Sequence, residues 1–347
     1  MGALKPRKST RNHLPAEIAS AITRIQFNSP QRDHTVLMNW TTSDLPQLEG
    51  RRVIVTGSNS GLGFEAAMAL ALVGAHVTLA VRDLAKGATA SAAITLAGGR
   101  FVQVSNLDVA DLSSVHAFAE RWSQEHPLGL DLLINNAGIM AIPRRVSVDG
   151  FELQLATNHL GHFALTALLM PAIMAVPNSR IVNVASNAHK MVKGMNFDDL
   201  MGEKKYGAWN QYGQSKLANL LFTSELQRRL DLVGSSTKAM VAHPGYSATN
   251  LTSGSARLQK KAFRAKISDT VSNLIGQDAQ QGVLPILVAA TAPNLAGNSY
   301  VGPDGWKEWK GKPSLVERTP AANNMQAARE LWDVSETLTG VHFPLDA

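Results

Sequence analysis

The chain is expected to fold as an α/β protein around a single doubly wound parallel sheet of about seven strands, with helices on both faces. Three observations predict this. Short apolar runs recur between residues 51 and 302, and most are followed by ten or more residues of helical pattern; such alternation implies βαβ units. The runs are continuously apolar rather than alternating, as in strands covered on both faces. The stretch TGSNSGLG (56–63) follows the first run directly, where glycine lets a chain turn sharply or lets another group come close.

The elements follow in order. RRVIVT (51–56) is the first strand, and a helix pattern runs on through Leu72. AHVTLAV (75–81) is the second strand and FVQVSNLDV (101–109) contains the third, followed by a helix over 111–125. LDLLINNAG (130–138) is the fourth strand, and residues 150–174 form a long helical stretch. RIVNVAS (180–186) is the fifth strand, 209–230 a helix, KAMVAHPG (238–245) the sixth strand, 278–291 a helix and NSYVG (298–302) the last strand. No internal repeat is visible, and no linker divides residues 40–310.

Composition narrows the function. Of 347 residues none is cysteine, which excludes disulfides, thiolate metal sites and cysteine nucleophiles and is consistent with a reducing, cytoplasmic setting. The net charge of +6 is concentrated at the start. Residues 1–37 hold six Lys/Arg (Lys5, Arg7, Lys8, Arg11, Arg24, Arg32) against Glu17 and Asp33, a balance of +4, leaving about +2 for the rest. A nearly neutral body does not suggest a nucleic-acid partner. Residues 1–37 read as a basic extension, poorly ordered or carrying one short helix from Pro15, and 38–347 as one domain. The longest apolar run, 66–81, is broken by Gly74, His76 and Thr78, so no transmembrane segment is expected.

The glycine stretch opens the first helix, where unpaired N–H groups and the helix dipole favour a pyrophosphate. The candidate contacts are Thr56, Gly57, Ser58, Asn59, Ser60, Gly61, Leu62 and Gly63. The end of the second strand is where such a site meets a ribose. Arg82 there would pair with a 2′-phosphate and favour NADP(H), while Asp83, one step on, could bond a ribose hydroxyl and permit NAD(H). Asp108 and Val109 follow the third strand, where Asp108 could touch an adenine edge or simply cap the next helix.

In YGQSK, Tyr212 and Lys216 lie four apart and share one helix face. A free phenol titrates near 10, and a neighbouring ammonium favours its ionised form. Ser186 closes the fifth strand, at the carboxyl edge where open α/β sheets bind ligands; no G-x-S-x-G elbow surrounds it. Asn158 is a polar residue in a largely apolar helical run and needs partners if buried. His159 and His162 have no evident third ligand, so no metal is expected.

TGSNSGLG, NNAG (135–138), Asn158, Ser186, the Tyr212/Lys216 pair and HPGYSAT (243–249), in this order, resemble the short-chain dehydrogenase/reductase family. VRDLAKG (81–87), TNHLGHFALT (157–166) and WDVSETLTG (332–340) resemble its retinol-dehydrogenase-like branch. The resemblance implies a Rossmann-type fold and hydride transfer between a nicotinamide cofactor, NADP(H) in preference to NAD(H), and a small-molecule carbonyl or alcohol. It implies Tyr212 as general acid/base, Ser186 polarising the substrate oxygen, Lys216 lowering the Tyr212 pKa and Asn158 anchoring a relay water. Asn135, Asn136, Ala137 and Gly138 would line the adenosine side, and Pro244, Gly245 and Thr249 would hold the nicotinamide amide. Ala185 stands where the family often has a second serine.

Substrate choice is expected from the loop after His189 and from a lid over 250–278, with Met140, His189, Met191, Trp209 and Tyr246 as walls suited to an apolar substrate. A homo-oligomer is compatible with this reading. The rival readings are a nucleotide sensor without catalysis, and an epimerase or dehydratase on the same scaffold. The complete Asn/Ser/Tyr/Lys set argues against the first, and the short chain after residue 245 against the second.

Overall fold

The computed structural model describes residues 39–246 and 279–345. The N-terminal extension, Thr249 and the expected lid over 250–278 therefore lie outside the described residues.

Eight strands form one sheet: β1 (Arg52–Thr56), β2 (His76–Val81), β3 (Phe101–Asn106), β4 (Leu132–Asn135), β5 (Arg180–Val184), β6 (Lys238–Ala242), β7 (Tyr300–Pro303) and β8 (Pro313–Leu315). The spatial order is β3-β2-β1-β4-β5-β6-β7-β8. All neighbours pair in parallel except β7 with β8, which is antiparallel. The strand order reverses between β1 and β4, and the crevice at such a switch point is where open α/β sheets bind ligands. Seven strands are the expected ones, and β8 is an addition at the edge.

The helices are α1 (Gly61–Leu72), α2 (Leu84–Leu96), α3 (Leu112–Glu125), α4 (Gly161–Met174), α5 (Ala208–Leu232), α6 (Leu284–Thr291) and α7 (Met325–Thr339). Asp111 caps α3 by accepting from the Ser113 and Ser114 amides, and Asn324 caps α7 in the same manner. The long helical stretch begins at Leu153, then widens into a π-helical turn at Ala156–Leu160 before continuing as α4. None of the described helices is long and apolar enough to cross a membrane.

Alternate residues of the buried strands serve opposite layers. Val53 and Val55 of β1 pack with α1 and α6, through Leu70, Ile286 and Leu287. Ile54 packs with α3, α4 and α5, through Phe118, Phe163 and Leu226. This explains the mainly apolar runs of the central strands, whose two faces are both interior; β3, at the sheet edge, leaves alternate residues exposed. On the second face α7 brings Trp332 against Phe163, Phe222 and Phe343, at ring separations of 5.3, 5.9 and 4.4 Å. The Arg229 guanidinium covers the same indole at 4.4 Å. Replacing Trp332 with alanine would leave a cavity that the three surrounding rings cannot collapse to fill. Denaturant unfolding of Trp332→Ala is expected to show a loss of about 3–5 kcal/mol.

Candidate active site

The turn after β1 is shaped by two close approaches. Gly57 has φ +66°, and a Cβ on it would sit 2.9 Å from Ala137 Cα. A Cβ on Gly63 would collide with the Asn136 amide and lie 2.7 Å from Gly57 O. The loop and the first turn of α1 therefore press against the end of β4 with no room for a side chain. Ser60, at the start of α1, makes no side-chain cap, and Ser60, Gly61 and Leu62 line a cleft of about 710 Å³. Uncapped amides at a helix start, in a cradle a Cβ would fill, suit a pyrophosphate.

Thr56 and Ser58 do not line this cleft; they build it. Ser58 is buried and donates to Val55 O at 2.8 Å. Thr56 Oγ1 accepts from the Asn136 and Ala137 amides, both at 2.9 Å, and Asn136 Nδ2 returns a bond to Thr56 O at 2.8 Å. His162 Nδ1 faces Asn158 O at 3.3 Å and must be the donor there. His162 Nε2 is then the acceptor for the Thr56 hydroxyl proton, at 2.9 Å. Asn135 is likewise interior, donating to Thr166 of α4 and to Asn183 of the neighbouring β5 at 2.9 Å each.

Arg82, 77% exposed in its side chain, lies at one end of the cleft and pairs with Asp108 at 3.6 Å. Asp83 points elsewhere: it caps α2 through the Lys86 amide and pairs with the Lys86 ammonium at 2.9 Å. Asp108, besides facing Arg82, accepts from the Ala110 amide at 3.0 Å. Val109, Asn59, Gly138, Pro244 and Gly245 also line the cleft.

Ser186, Tyr212 and Lys216 meet on the cleft wall where β5 ends against α5. Lys216 Nζ donates to Val184 O at 3.0 Å and stands 5.8 Å from the centre of the Tyr212 ring. Ser186 Oγ accepts from the Ala188 amide at 3.2 Å. Burial governs both titratable groups. It pushes the Tyr212 phenol up to about 12, with the Ser186 hydrogen bond opposing, and brings the Lys216 ammonium down to about 8.

Asn158 sits in the π-helical turn, fully buried. Its Oδ1 accepts from Ile139 N at 2.9 Å, and its Nδ2 donates to Ile139 O and Ser215 Oγ at 3.0 and 2.9 Å. Both amide protons are thus spent on protein partners. The side chain ties the segment after β4 to α5 beside Lys216. Such π turns concentrate at functional sites.

Of the expected walls, Met140, Met191, Trp209 and Tyr246 line the cleft. His189 lies behind it, fully buried, donating through Nδ1 to Ser186 O at 2.7 Å. The reading of the sequence missed Trp309, in the β7–β8 loop, and Ser215. The W-x-x-W spacing of Trp306 and Trp309 between Gly305 and Gly311 was the available signal.

A family profile described as short chain dehydrogenase matches residues 51–260, more than half of the chain. Human retinol dehydrogenase 11 is 40% identical over 86% of this chain and 88% of its own length. Mouse retinol dehydrogenase 12 is 37% identical over 86% and 89%. A crystal structure of a protein from Mycobacterium paratuberculosis, 44% identical, covers 88% of this chain and all of that one with a TM-score of 0.72. A dehydrogenase/reductase from Sinorhizobium meliloti shares the fold at 22% identity, with a TM-score of 0.56 over 73% and 93%. The fold and site thus define an NAD(P)-dependent oxidoreductase acting on CH–OH or C=O groups. The chain belongs to the short-chain dehydrogenase/reductase family and is similar to the retinol dehydrogenases.

The buried histidines give the site a pH dependence. Burial brings His162 down to about 4 and His159 down to about 3. A base with a lowered folded-state pKa binds its proton more readily when unfolded. Its contribution is therefore whole above about pH 6.5 and is lost as pH falls toward 4. The loss is on the order of 2–3 kcal/mol per histidine at pH 4. Thermal unfolding between pH 7 and 4.5 should show this decline, and His162→Gln should flatten it; an unchanged slope would place the acid sensitivity elsewhere.

Proposed function

We propose that the protein transfers hydride between NADP(H) and a carbonyl or alcohol, with Tyr212 as the proton donor or acceptor. The observation that carries this reading is the convergence of Ser186, Tyr212 and Lys216 on the cleft that the glycine cradle and Arg82 also line. The bound nicotinamide supplies the hydride chemistry; the residues of this chain orient the substrate oxygen and handle its proton.

With its pKa raised to about 12, Tyr212 is a neutral phenol near pH 7. That state suits proton donation to an oxygen gaining negative charge in carbonyl reduction. The Ser186 hydroxyl, beside it, donates a hydrogen bond to the same oxygen. Lys216, near 8, is largely cationic at neutral pH. Its charge stabilises the phenolate left behind, and its hold on Val184 O fixes its position. Asn158 fixes the backbone at Ile139 and so keeps Gly138 open: a Cβ there would lie 3.2 Å from Asn158 Oδ1 and 3.6 Å from Lys216 Nζ. In alcohol oxidation the proton runs the opposite way, onto a phenolate, which this burial disfavours until a compensating positive charge is bound.

Preference for the phosphorylated dinucleotide rests on Arg82, whose exposed guanidinium stands at the end of β2 while Asp83 is occupied with α2. Phosphate recognition by a guanidinium is geometrically specific.

Tyr212→Phe is expected to lower kcat for aldehyde reduction by about 10³-fold or more, with NADPH affinity within a factor of two of wild type. Normal turnover in that variant would remove the assigned role. Fluorescence titrations should show Arg82→Ala weakening NADPH by about tenfold while leaving NADH little changed; equal weakening of both would remove the phosphate reading.

A further inference from the structure

The β7–β8 loop, residues 304–312, is not a plain connection. A Cβ on Gly305 would collide with Lys310 O, and Gly311 has φ +143°. Lys307 and Glu308 take left-handed backbone, at φ 52° and 55°, which residues with side chains rarely adopt. Such a conformation persists where surrounding contacts enforce it, and here three do. Asn187, next to Ser186, donates from Nδ2 to Lys307 O at 3.1 Å and to Glu308 O at 3.2 Å. The Glu308 carboxylate is bound on one oxygen by Lys190 at 2.6 Å and on the other by His243 Nε2 at 3.1 Å. Tyr246 N donates to Trp309 O at 2.7 Å. The loop is thereby fastened to the segments that follow β5 and β6, the same segments that carry Ser186, Pro244 and Gly245.

The consequence falls on Trp309. Its indole lines the cleft, half-buried, with the Trp306 ring edge-on at 4.9 Å and the Lys307 ammonium 5.6 Å from its centre. The Tyr246 ring lies 6.5 Å away. Met140, Ile142, Met191 and Trp209 also line this cleft, and the Trp209 ring lies 6.1 Å from that of Tyr212.

We infer that Trp309 is a specificity-determining residue, held as one rigid wall of the substrate end of the cleft by the Glu308 latch, and that it selects carbonyls or alcohols carrying an extended apolar group over small ones. This deepens the hydride-transfer reading and rests on it for which end of the cleft reacts. A pre-fixed aromatic wall loses little freedom when it binds an apolar chain, and apolar contacts discriminate by size rather than by polarity. Glu308 is a positioning residue: it touches no substrate and acts through the place it gives Trp309.

The test compares kcat/KM for decanal and propanal with NADPH in the wild type, Trp309→Ala, Trp309→Phe and Glu308→Gln. The decanal-to-propanal ratio should fall about tenfold in Trp309→Ala, mainly through KM for decanal, and Trp309→Phe should restore most of it. Glu308→Gln should lower the ratio in the same direction by a smaller factor. A ratio within twofold of wild type in Trp309→Ala overturns the assignment. A fall in kcat of equal size for both aldehydes in Glu308→Gln overturns the latch, since that pattern reports a disturbed Ser186. The two readings fail separately. If the wild type reduces neither aldehyde, calorimetric binding of decan-1-ol and propan-1-ol still reads the Trp309 wall. A preference for decan-1-ol that Trp309→Ala abolishes upholds it, and equal affinities in the two proteins refute it.

Discussion

One buried hydroxyl, Thr56 Oγ1, joins the two halves of the site. It accepts two backbone N–H bonds from the end of β4 and gives its proton to His162 Nε2. His162 in turn holds the Asn158 carbonyl, and Asn158 holds Ile139 and Ser215. The chain of contacts thus runs from the glycine turn after β1, through a neutral histidine, to the residue that precedes Lys216. The side chains of Thr56, His162, Asn158 and Ser215 are buried and bonded to one another or to backbone, so a change at one leaves its neighbour unpaired. Buried polar networks are costly when incomplete and specifying when complete. This one requires β1, β4, the π-helical turn and α5 to hold a single relative placement.

The same burial explains the electrostatics. Tyr212 and Lys216 face a cleft but sit almost wholly inside the protein, where each is pushed toward its neutral form. The ammonium donates to a strand-end carbonyl, which orients it without neutralising it. A phenol held neutral by desolvation and an amine brought down toward neutrality by it both respond strongly to any charge brought near them. Three expected direct contacts instead serve the frame: Ser58 bonds to backbone, Asn135 to α4 and the neighbouring strand, and Asp83 to a helix start.

Much of the fold was legible because period and continuity of apolar residues report burial directly. The strands at 51–56, 75–81 and 180–186 read as mainly apolar runs without strict alternation, because a strand interior to two layers has no solvent face to alternate with. Helix α2 was not read because LAKGATASAAITL carries small residues with little contrast between faces, and β8 because Pro313–Leu315 is three residues long at a sheet edge. The π turn at Ala156–Leu160 has no sequence signal of its own; ATNHL is apolar enough to pass as ordinary helix.

By itself the sequence determined the α/β architecture, the glycine turn and the order of the chemistry-bearing residues, since each depends on local pattern or on spacing within one element. Tyr212 and Lys216 share a helix face whatever surrounds them. Tertiary structure alone decided what depends on distant segments packing together: that Thr56 is a strut, that Asn158 spends its amide on the frame, that burial raises the Tyr212 phenol, and that Trp309 reaches the cleft. Burial and hydrogen-bond partnership are properties of the assembled environment, and no single stretch of chain carries them.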